Sequence, residues 1–557
     1  SKTKIYALGG LGENGKNMYV CDIENKIFIL DAGLKYPTDE LFGVDSIIPD
    51  ISHLIKQKSR IAGLFLSHGH EDHIGAVPRL LKLINIPIYG STFTLAILKD
   101  ALEDQGHNLE DYNFFEVDSS KTMSFGTVKV DFYRVTHSIP ESLGVALTTP
   151  DGVIVYAPDY NFDQNVDGIY RTEFTKLAEI ANKKVLALLT ESLGAERDGY
   201  THSSVNLAHT LQTTFEDAEG RIIVSAFSTD LLRIQKIIDI ALSNDRKIAI
   251  IGRKTQRTID IAVNMGYLKI PKDSLVNLKF IDDKNKNELK DAIVLVAGDR
   301  HEPFYMIQRM VKKLDRLIHI NKDDTIIMMT PPVPGTEKIA ARTMDILYRN
   351  DCNVVKISKN DLPPQHASSE DVKLLTNLLN PKYIIPVIGE YRHQYALREL
   401  AYQIGYNKEN VFVMDNGQVL EIVDGEVRST TGGVEAGEIF VDGILDGDVS
   451  DVVLRDREAL SQDGVLLIIA NIDARNRLVL SEPEIVSRGF VYMKENEELI
   501  EEVRKLFLDV SKEIFTNKYI DWRVYKEAVR DSINKYLYRT IKRRPIIIPV
   551  LVDTQLK

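Results

Sequence analysis

Short apolar runs separated by turn residues make up much of the first part of the chain. The runs at 5–10, 17–23, 26–33 and 61–66 are rich in aliphatic and aromatic residues and are bounded by polar or glycine-containing turns, which is typical of buried strands. The segments that follow repeat apolar residues at helical spacing or alternate them with polar residues. They predict helices at 77–84 and 94–104 and strands at 127–138, 152–160 and 185–192.

From about residue 205 the pattern changes to a regular exchange of short β-branched strands and amphipathic helices. The predicted elements are strands at 221–227, 247–252, 292–298 and 325–330, and helices at 231–242, 257–266, 304–314 and 336–350. Such βα repeats favour a small parallel, doubly wound sheet. Strands at 353–358 and 382–391, with a helix at 370–379, are expected to complete the first domain, so the doubly wound domain is predicted to be an insertion.

The last part of the chain has a different composition. Residues 415–450 are rich in Gly and Asp and indicate an exposed linker. From 451 onwards the pattern predicts strands at 464–472, 477–481, 485–493 and 545–552 and two long amphipathic helices, Glu495–Phe515 and Arg523–Ile541. A separate α+β module is therefore expected at the carboxy terminus.

Composition narrows the class of protein. A chain of 557 residues that is 44 % apolar and 27 % charged is expected to be globular, with three or four domains. Its two cysteines, Cys21 and Cys352, exclude a disulfide framework and favour a cytoplasmic protein. No secretory leader is expected, and no membrane span is expected because no apolar run is long enough for one. The net charge of −12 argues against a general nucleic-acid coat protein, but not against an enzyme whose metals and local Lys or Arg residues meet a phosphodiester.

Candidate metal ligands are concentrated just after the apolar run at 61–66. His68, His70, Asp72 and His73 lie within six residues, and the first two point the same way if the backbone there is extended. Asp72 and His73 can face a second, adjacent ion. Imidazole and carboxylate together suit Zn²⁺ or Mn²⁺. The alternative, a polar loop with scattered histidines, is disfavoured by the density of ligands and by their place after a strand, where α/β sites are built.

These residues resemble the HxHxDH signature of the metallo-β-lactamase superfamily. The inserted domain, with Glu191, His366 and the sequence Gly-Glu-Tyr-Arg at 389–392, resembles the β-CASP subgroup, which processes nucleic acids. Longer segments, among them SHGHEDHIGAVP, APDYNFDQ, PPVPGTE and VVLRDREALSQDG, resemble ribonuclease J over nearly the whole chain.

The resemblance implies an α/β fold: a metallo-β-lactamase αββα sandwich with an inserted β-CASP doubly wound α/β domain and a carboxy-terminal α+β domain. The expected bounds are 1–205 and 351–425 for the two parts of the metallo-β-lactamase domain, 206–350 for the β-CASP domain, 426–450 for the linker and 451–557 for the carboxy-terminal domain.

The resemblance also implies a site with up to two zinc or manganese ions. The ligands carried over are His68, His70 and His137 for the first ion, Asp72 and His73 for the second, and Asp159 bridging both. Glu191 and His366 match auxiliary motifs, with the expected roles of orienting ligands and moving a proton to the leaving group. Asp72, His73, Glu191 and His366 are therefore the expected catalytic residues.

Three departures from the family pattern predict a weakened enzyme. Ile388 stands where the last metal-binding His is expected, and its side chain cannot ligate. The family's phosphate-gripping loop H-A-S-G-H is replaced at 362–366, where the aligned substrate-binding residues are Leu362, Pro363, Pro364, Gln365 and His366. Asp299 puts a carboxylate where a small hydroxyl is expected, and Arg300 beside it could offset that charge.

The expected function is that of a metal-dependent ribonuclease, a 5′-to-3′ exonuclease with endonuclease activity, acting in RNA maturation and decay. The departures resemble those of the second, weakly active type of ribonuclease J found beside an active paralogue in some Gram-positive bacteria. The expected partners are RNA, a second copy in a homodimer or higher oligomer, and the active paralogue in a hetero-oligomer. The alternative is a largely non-catalytic structural subunit of that paralogue. A small-molecule thioester hydrolase is disfavoured by the inserted domain and Glu191.

Overall fold

Two β-sheets packed face to face form the part of the chain that carries the histidine-rich segment. The computed structural model describes residues 1–37, 41–276, 291–357, 361–443, 450–491 and 495–554. These residues group into two units, one of Ser1–Thr38 with Ser46–Ile439 and the other of Asp39–Asp45 with Phe440–Lys557. The sandwich belongs to the first unit.

The first sheet has eight strands in the order β21-β20-β1-β2-β3-β5-β6-β7. Its strands are β1 Lys2–Gly9, β2 Met18–Ile23, β3 Lys26–Leu30, β5 Ile61–Phe65, β6 Ile88–Gly90, β7 Phe114–Glu116, β20 Gln418–Val423 and β21 Glu426–Gly433; β4 is Ser46–Pro49. β21 lies within the predicted linker 426–450, where it pairs with β20 through backbone hydrogen bonds. The first part of that segment is therefore regular structure, and 444–449 lie outside the described residues.

The second sheet has six strands in the order β19-β12-β11-β10-β9-β8. They are β8 Met123–Phe125, β9 Val128–Arg134, β10 Leu143–Thr149, β11 Gly152–Ala157, β12 Val185–Glu191 and β19 Tyr383–Val387. Apolar side chains from the inner faces of both sheets, such as Phe28, Phe65 and Phe132, form one buried core. The helices of this fold are α1 Ser52–Ile55, α2 Glu71–Ile74, α3 Val77–Leu83, α4 Thr92–Asp104, α5 Phe174–Ala181, α11 Ser369–Leu379 and α12 Tyr391–Gln403.

The inserted part is a six-stranded parallel sheet in the order β15-β14-β16-β13-β17-β18. Its elements are α6 Val205–Asp217, β13 Ile222–Phe227, α7 Leu231–Ser243, β14 Ile248–Ile251, α8 Arg253–Asn264, β15 Leu275–Val276, β16 Ile293–Gly298, α9 Glu302–Val311, β17 Thr325–Met328, α10 Glu337–Arg349 and β18 Asn353–Lys356. Apolar clusters cover both faces of the sheet, as a doubly wound domain requires. The predicted fold class, with this insertion, is confirmed.

One strand lies in a different sheet from the one predicted. The run at 353–358 was expected to complete the first domain, but Asn353–Lys356 pairs in parallel with β17 of the inserted sheet. The domain to which this strand belongs is set by the strand it pairs with, which its own sequence pattern does not reveal. Residue 358 lies outside the described residues. The strand at 383–387 does complete the second sheet of the sandwich.

The second unit contains a four-stranded sheet covered on one face by two long helices. Its elements are α13 Asp451–Gln462, β23 Val465–Asp473, β24 Leu478–Val479, β25 Glu484–Arg488, α14 Glu497–Ile514, α15 Trp522–Ile541 and β26 Ile546–Asp553, preceded by β22 Glu438–Val441 at the boundary. Residues 492–494 of the strand predicted at 485–493 lie outside the described residues. Alternate side chains of β23 pack against the helices, so the predicted α+β module is confirmed. None of the helices described here is long and apolar enough to cross a bilayer.

Candidate metal centre

The histidine-rich segment lies at the carboxyl end of β5 and is fixed there by backbone hydrogen bonds. The carbonyl of Asp72 accepts the Asn17 N–H (3.1 Å) and the carbonyl of His73 accepts the Ala32 N–H (2.9 Å). A Cβ at Gly33 would lie 1.6 Å from the Asp72 carbonyl oxygen, so only glycine permits this approach. The short helix α2 starts at Glu71 and sets Asp72 and His73 beside the strand end.

Two groups of side chains could each hold an ion. Ligand atoms of the first group lie within 4.8 Å of one another, as do those of the second. The groups are His68, His70, His137 and Asp159, and His68, Asp72, His73 and Asp159. The Asp159 carboxylate belongs to both, since its Oδ2 lies 3.2 Å from the Nε2 atoms of His68 and of His73. The six predicted metal-ligating residues are therefore brought together.

Hydrogen bonds on the far side of each ring decide which nitrogen faces the centre. His70 Nε2 donates to the Thr229 carbonyl and His137 Nδ1 donates to the Gln365 carbonyl, both at 3.0 Å. Burial lowers the pKa of His70 to about 4 and that of His137 well below its ordinary value, so both rings are neutral. Each neutral ring has only one N–H, which leaves His70 Nδ1 and His137 Nε2 as lone pairs 3.2 Å apart.

This arrangement fits a divalent cation. Two facing lone pairs repel each other unless a positive charge lies between or beside them. His68 Nε2 and Asp159 Oδ1 are also buried with no hydrogen-bond partner among the described residues. Buried polar atoms are rarely left unpaired, and a metal ion held by this group would satisfy the ring nitrogens of His68, His70 and His137 together.

Asp31, which ends a strand near the site and was given no role from the sequence, orients this centre. Asp31 closes β3 with a positive φ of 65° and is fully buried. Its Oδ2 accepts from His73 Nδ1, from the Ser67 hydroxyl and from the Tyr156 hydroxyl, each at 2.7 Å. Ser67 Oγ in turn accepts from His68 Nδ1 (2.9 Å), which directs His68 Nε2 to the centre. Such outer partners fix the tautomer and basicity of metal ligands.

Glu191 and His366 form a third group with Asp159. His366 Nδ1 lies 2.7 Å from Glu191 Oε2 and 3.4 Å from Asp159 Oδ1. Burial opposes a charge on the imidazole, but Glu191 and Asp159 outweigh it and raise the pKa of His366 above its ordinary value. The side chain is partly exposed, so a protonated imidazole beside Asp159 is in contact with solvent.

Position 388 carries no ligand, yet its backbone keeps a constrained geometry. Ile388 is 1 % exposed and has a φ of +51°, which is unusual for a β-branched residue. Its N–H donates to the Tyr19 hydroxyl (3.0 Å), which donates to Asn17 Oδ1 (2.8 Å). Asn17 Nδ2 lies 3.4 Å from His73 Nε2, so Ile388 is linked to the Asp72–His73 side of the centre.

Fewer side chains of the loop at 362–366 are available to RNA than predicted. Leu362 packs in the core of the inserted domain, and Pro363 is buried with its carbonyl accepting from Arg233 at 3.3 Å. Contact of these two side chains with RNA is therefore not supported, because neither is exposed. Gln365 acts through its backbone carbonyl, on His137, and Pro364 is partly exposed.

Family models match four stretches of the chain. They are described as "Beta-lactamase superfamily domain" (residues 30–178), "Ribonuclease J, beta-CASP domain" (219–347), "Zn-dependent metallo-hydrolase RNA specificity domain" (365–414) and "Ribonuclease J C-terminal domain" (452–554). A solved protein of unknown function from Enterococcus faecalis V583 shares the fold, with a TM-score of 0.53 and 15 % identity over 76 % of this chain and 100 % of that one. The fold and the site define a metallo-β-lactamase-type hydrolase that acts on RNA and binds a divalent metal.

Relatives of known family match along the whole length. Ribonuclease J2 of Bacillus subtilis strain 168 is 38 % identical over 550 residues, covering 99 % of this chain and 98 % of that protein. Ribonuclease J 2 of Staphylococcus epidermidis RP62A and of Staphylococcus aureus NCTC 8325 are 37 % and 36 % identical with the same coverage. The chain belongs to the ribonuclease J family, as its motifs predicted.

Proposed function

We propose that this protein is a metal-dependent 5′-to-3′ exoribonuclease with some endonuclease activity and a low intrinsic rate. The observation that supports it is the convergence of His68, His70, His137 and Asp159, whose ligand atoms lie within 4.8 Å of one another. The low rate is inferred from the family resemblance, in which the buried Ile388 stands at the position of a further histidine ligand. The family match gives RNA as the substrate class; the direction of degradation, the endonuclease activity and the low rate are what we propose.

The ligands divide unequally between two ions. His68, His70 and His137 would hold one ion, and Asp72, His73 and the shared Asp159 would hold the other with one imidazole missing. Zinc or manganese bound there would lower the pKa of a water molecule and neutralise charge on the phosphate. Loss of a ligand weakens binding, so we infer one tight ion and one weak ion per chain.

The remaining polar groups are placed for proton transfer. His366 Nδ1 is bonded to Glu191 beside Asp159, and the imidazole is partly exposed to solvent. In the proposed reaction the protonated imidazole would give its other proton, on Nε2, to the leaving oxygen, while the Nδ1 bond to Glu191 keeps the ring in position. Asp72, with a side chain 34 % exposed, orients the water that attacks.

A second role, assembly with other chains, is supported by the carboxy-terminal unit. Ile548, Val550 and Val552 follow one another at alternate positions of β26, so they lie on one face of the sheet, and each is more than a third exposed. Apolar patches of this kind mark association surfaces. We propose that the protein forms a homodimer or higher oligomer and pairs with an active ribonuclease J paralogue, which it would stabilise even with little turnover of its own.

The test is cleavage of a 5′-monophosphorylated RNA by the purified protein with Zn²⁺ or Mn²⁺. Asp72→Ala should abolish the release of mononucleotides without unfolding the chain, since Asp72 is a partly exposed residue of the short helix α2 and not part of the apolar core. Asp104→Ala, on an exposed turn of α4, is the matched control and should cleave like the wild type. Cleavage that survives Asp72→Ala would come from another site or another protein. No cleavage by the wild type, with normal pairing to the paralogue, would favour the structural role.

A further inference from the structure

A lysine from the inserted domain is held between two carboxylates beside the metal-ligand loop. Lys254, at the start of α8, has its Nζ 3.0 Å from Asp299 Oδ2 and 3.3 Å from Glu71 Oε1. Glu71 lies between the ligands His70 and Asp72. A single ammonium group thus joins the inserted domain to the loop that carries the centre.

Asp299 is more buried than Lys254 and is hydrogen-bonded within the inserted domain. Asp299 Oδ1 accepts from the Ser228 hydroxyl, and the neighbouring Thr229 carbonyl accepts from His70. The Asp299 side chain is 18 % exposed, whereas the Lys254 side chain is 59 % exposed. The ammonium is therefore the more exposed partner of this ion pair, and its other contact, Glu71, is the sequence neighbour of the ligands His70 and Asp72.

Around Lys254, two carboxylates face one ammonium group. Glu71 and Asp299 outweigh the effect of burial and raise the pKa of Lys254, so its ammonium stays charged. The nearby guanidinium of Arg300 lies 4.1 Å from the centroid of the Tyr36 ring and donates to the Pro334 carbonyl at 3.0 Å. Two carboxylates thus share one ammonium, and the guanidinium of Arg300 is engaged by Tyr36 and Pro334.

We propose that Lys254 is an RNA-phosphate-binding residue and that Asp299 is a built-in competitor for it. A phosphate oxygen accepts from an ammonium as a carboxylate oxygen does, so RNA entering beside Glu71 can take the place of Asp299. An ion pair this exposed is weak enough to exchange. The inference rests on RNA binding at the proposed site, but not on the proposed low rate.

The experiment measures RNA affinity and leaves turnover aside. The full-length, zinc-loaded protein is titrated into a fluorescent 5′-monophosphorylated phosphorothioate RNA that resists hydrolysis, at several salt concentrations. In the wild type the Lys254–phosphate contact replaces the Lys254–Asp299 ion pair, whereas without the Asp299 charge this contact is a net gain. For a single strand, one net phosphate contact steepens the salt dependence by about 0.7 and tightens binding about fivefold at 0.1 M salt. We expect this change in Asp299→Asn, and in Asp299→Ser if the first variant is unstable.

Two further variants separate this mechanism from a general loss of negative charge. Lys254→Ala combined with Asp299→Asn should bind like Lys254→Ala alone. Asp100→Asn removes a carboxylate of α4 that lies 2.7 Å from Arg257, a residue of α8 like Lys254. This variant should leave the RNA affinity unchanged. The proposal is overturned if Asp299→Asn binds no more tightly, if its gain survives without Lys254, or if Asp100→Asn gains as much. Absence of RNA binding by the wild type would instead refute the proposed function itself.

Discussion

Replacing Asp31 with Asn tests whether the buried network around the centre sets its affinity for metal. The two oxygens of Asp31 accept four hydrogen bonds from Ser67, His73 and Tyr156, and no part of the side chain is exposed. An amide has one oxygen and one NH₂ group, so in either orientation an N–H meets a donor.

The expected magnitude follows from these contacts. One buried donor left unsatisfied costs about 1–3 kcal/mol of folding free energy. Loss of the carboxylate that accepts a hydrogen bond from His73 Nδ1 also lowers the basicity of that ligand. Replacing a residue that is hydrogen-bonded to a metal ligand typically reduces metal affinity by about 10–100-fold. Asp31→Asn should therefore bind the weaker ion at least tenfold less tightly while remaining folded.

A chelator-competition titration measures the affinity, and urea unfolding measures the stability. Asp131→Asn is the matched control, because Asp131 is also a buried carboxylate of the sandwich but binds Thr122, Lys176 and Lys183. It should lose stability and keep its metal affinity. If Asp31→Asn holds metal as tightly as the wild type, the network is not what orients His73 and our reasoning is wrong.

Three other predictions concern the weakened features of the chain. Ile388→His should raise cleavage only slightly, because effects of residues acting as a unit are not additive. Most of the gain in single-turnover rate should require the further replacement of 362–365 by His-Ala-Ser-Gly. Full activity from Ile388→His alone would show that the loop is unimportant. His366→Ala should lower the cleavage rate about 100-fold or more with metal content unchanged, whereas loss of metal would assign it a ligand role. Deletion of 451–557 should shift the protein toward monomer in light scattering and weaken its pairing with an active paralogue; an unchanged mass would count against that role for the carboxy-terminal unit.

The sequence predicts the strands and the ligand-rich segment well because both depend on local pattern. Apolar runs ending in His68, His137 and Asp159 mark strand ends, and strand ends are where the sandwich places its ligands. Ile388 and His366 were identified only through the family resemblance, because their distance in sequence from the histidine-rich segment gives no sign that they belong to the same site.

The parts that could not be predicted depend on groups without a sequence signature. The carbonyls of Thr229 and Gln365 orient two histidines, but every residue has a carbonyl. Lys254 and Glu71 are 183 residues apart and meet only through the folded insertion. Asp31 had a readable signal, an Asp-Ala-Gly turn at the end of a buried strand, but its partners His73 and Tyr156 come from other elements.

The number of tightly held metal ions tests the central claim most directly. Elemental analysis of the purified full-length protein after extensive dialysis gives the ratio of metal to chain, and Ile388→His serves as the comparison. Position 388 already has the left-handed backbone that histidine tolerates better than isoleucine, so the variant should fold. We predict one retained ion per chain for the wild type and a second for Ile388→His. Two equally retained ions in the wild type, or no gain in the variant, would contradict the account.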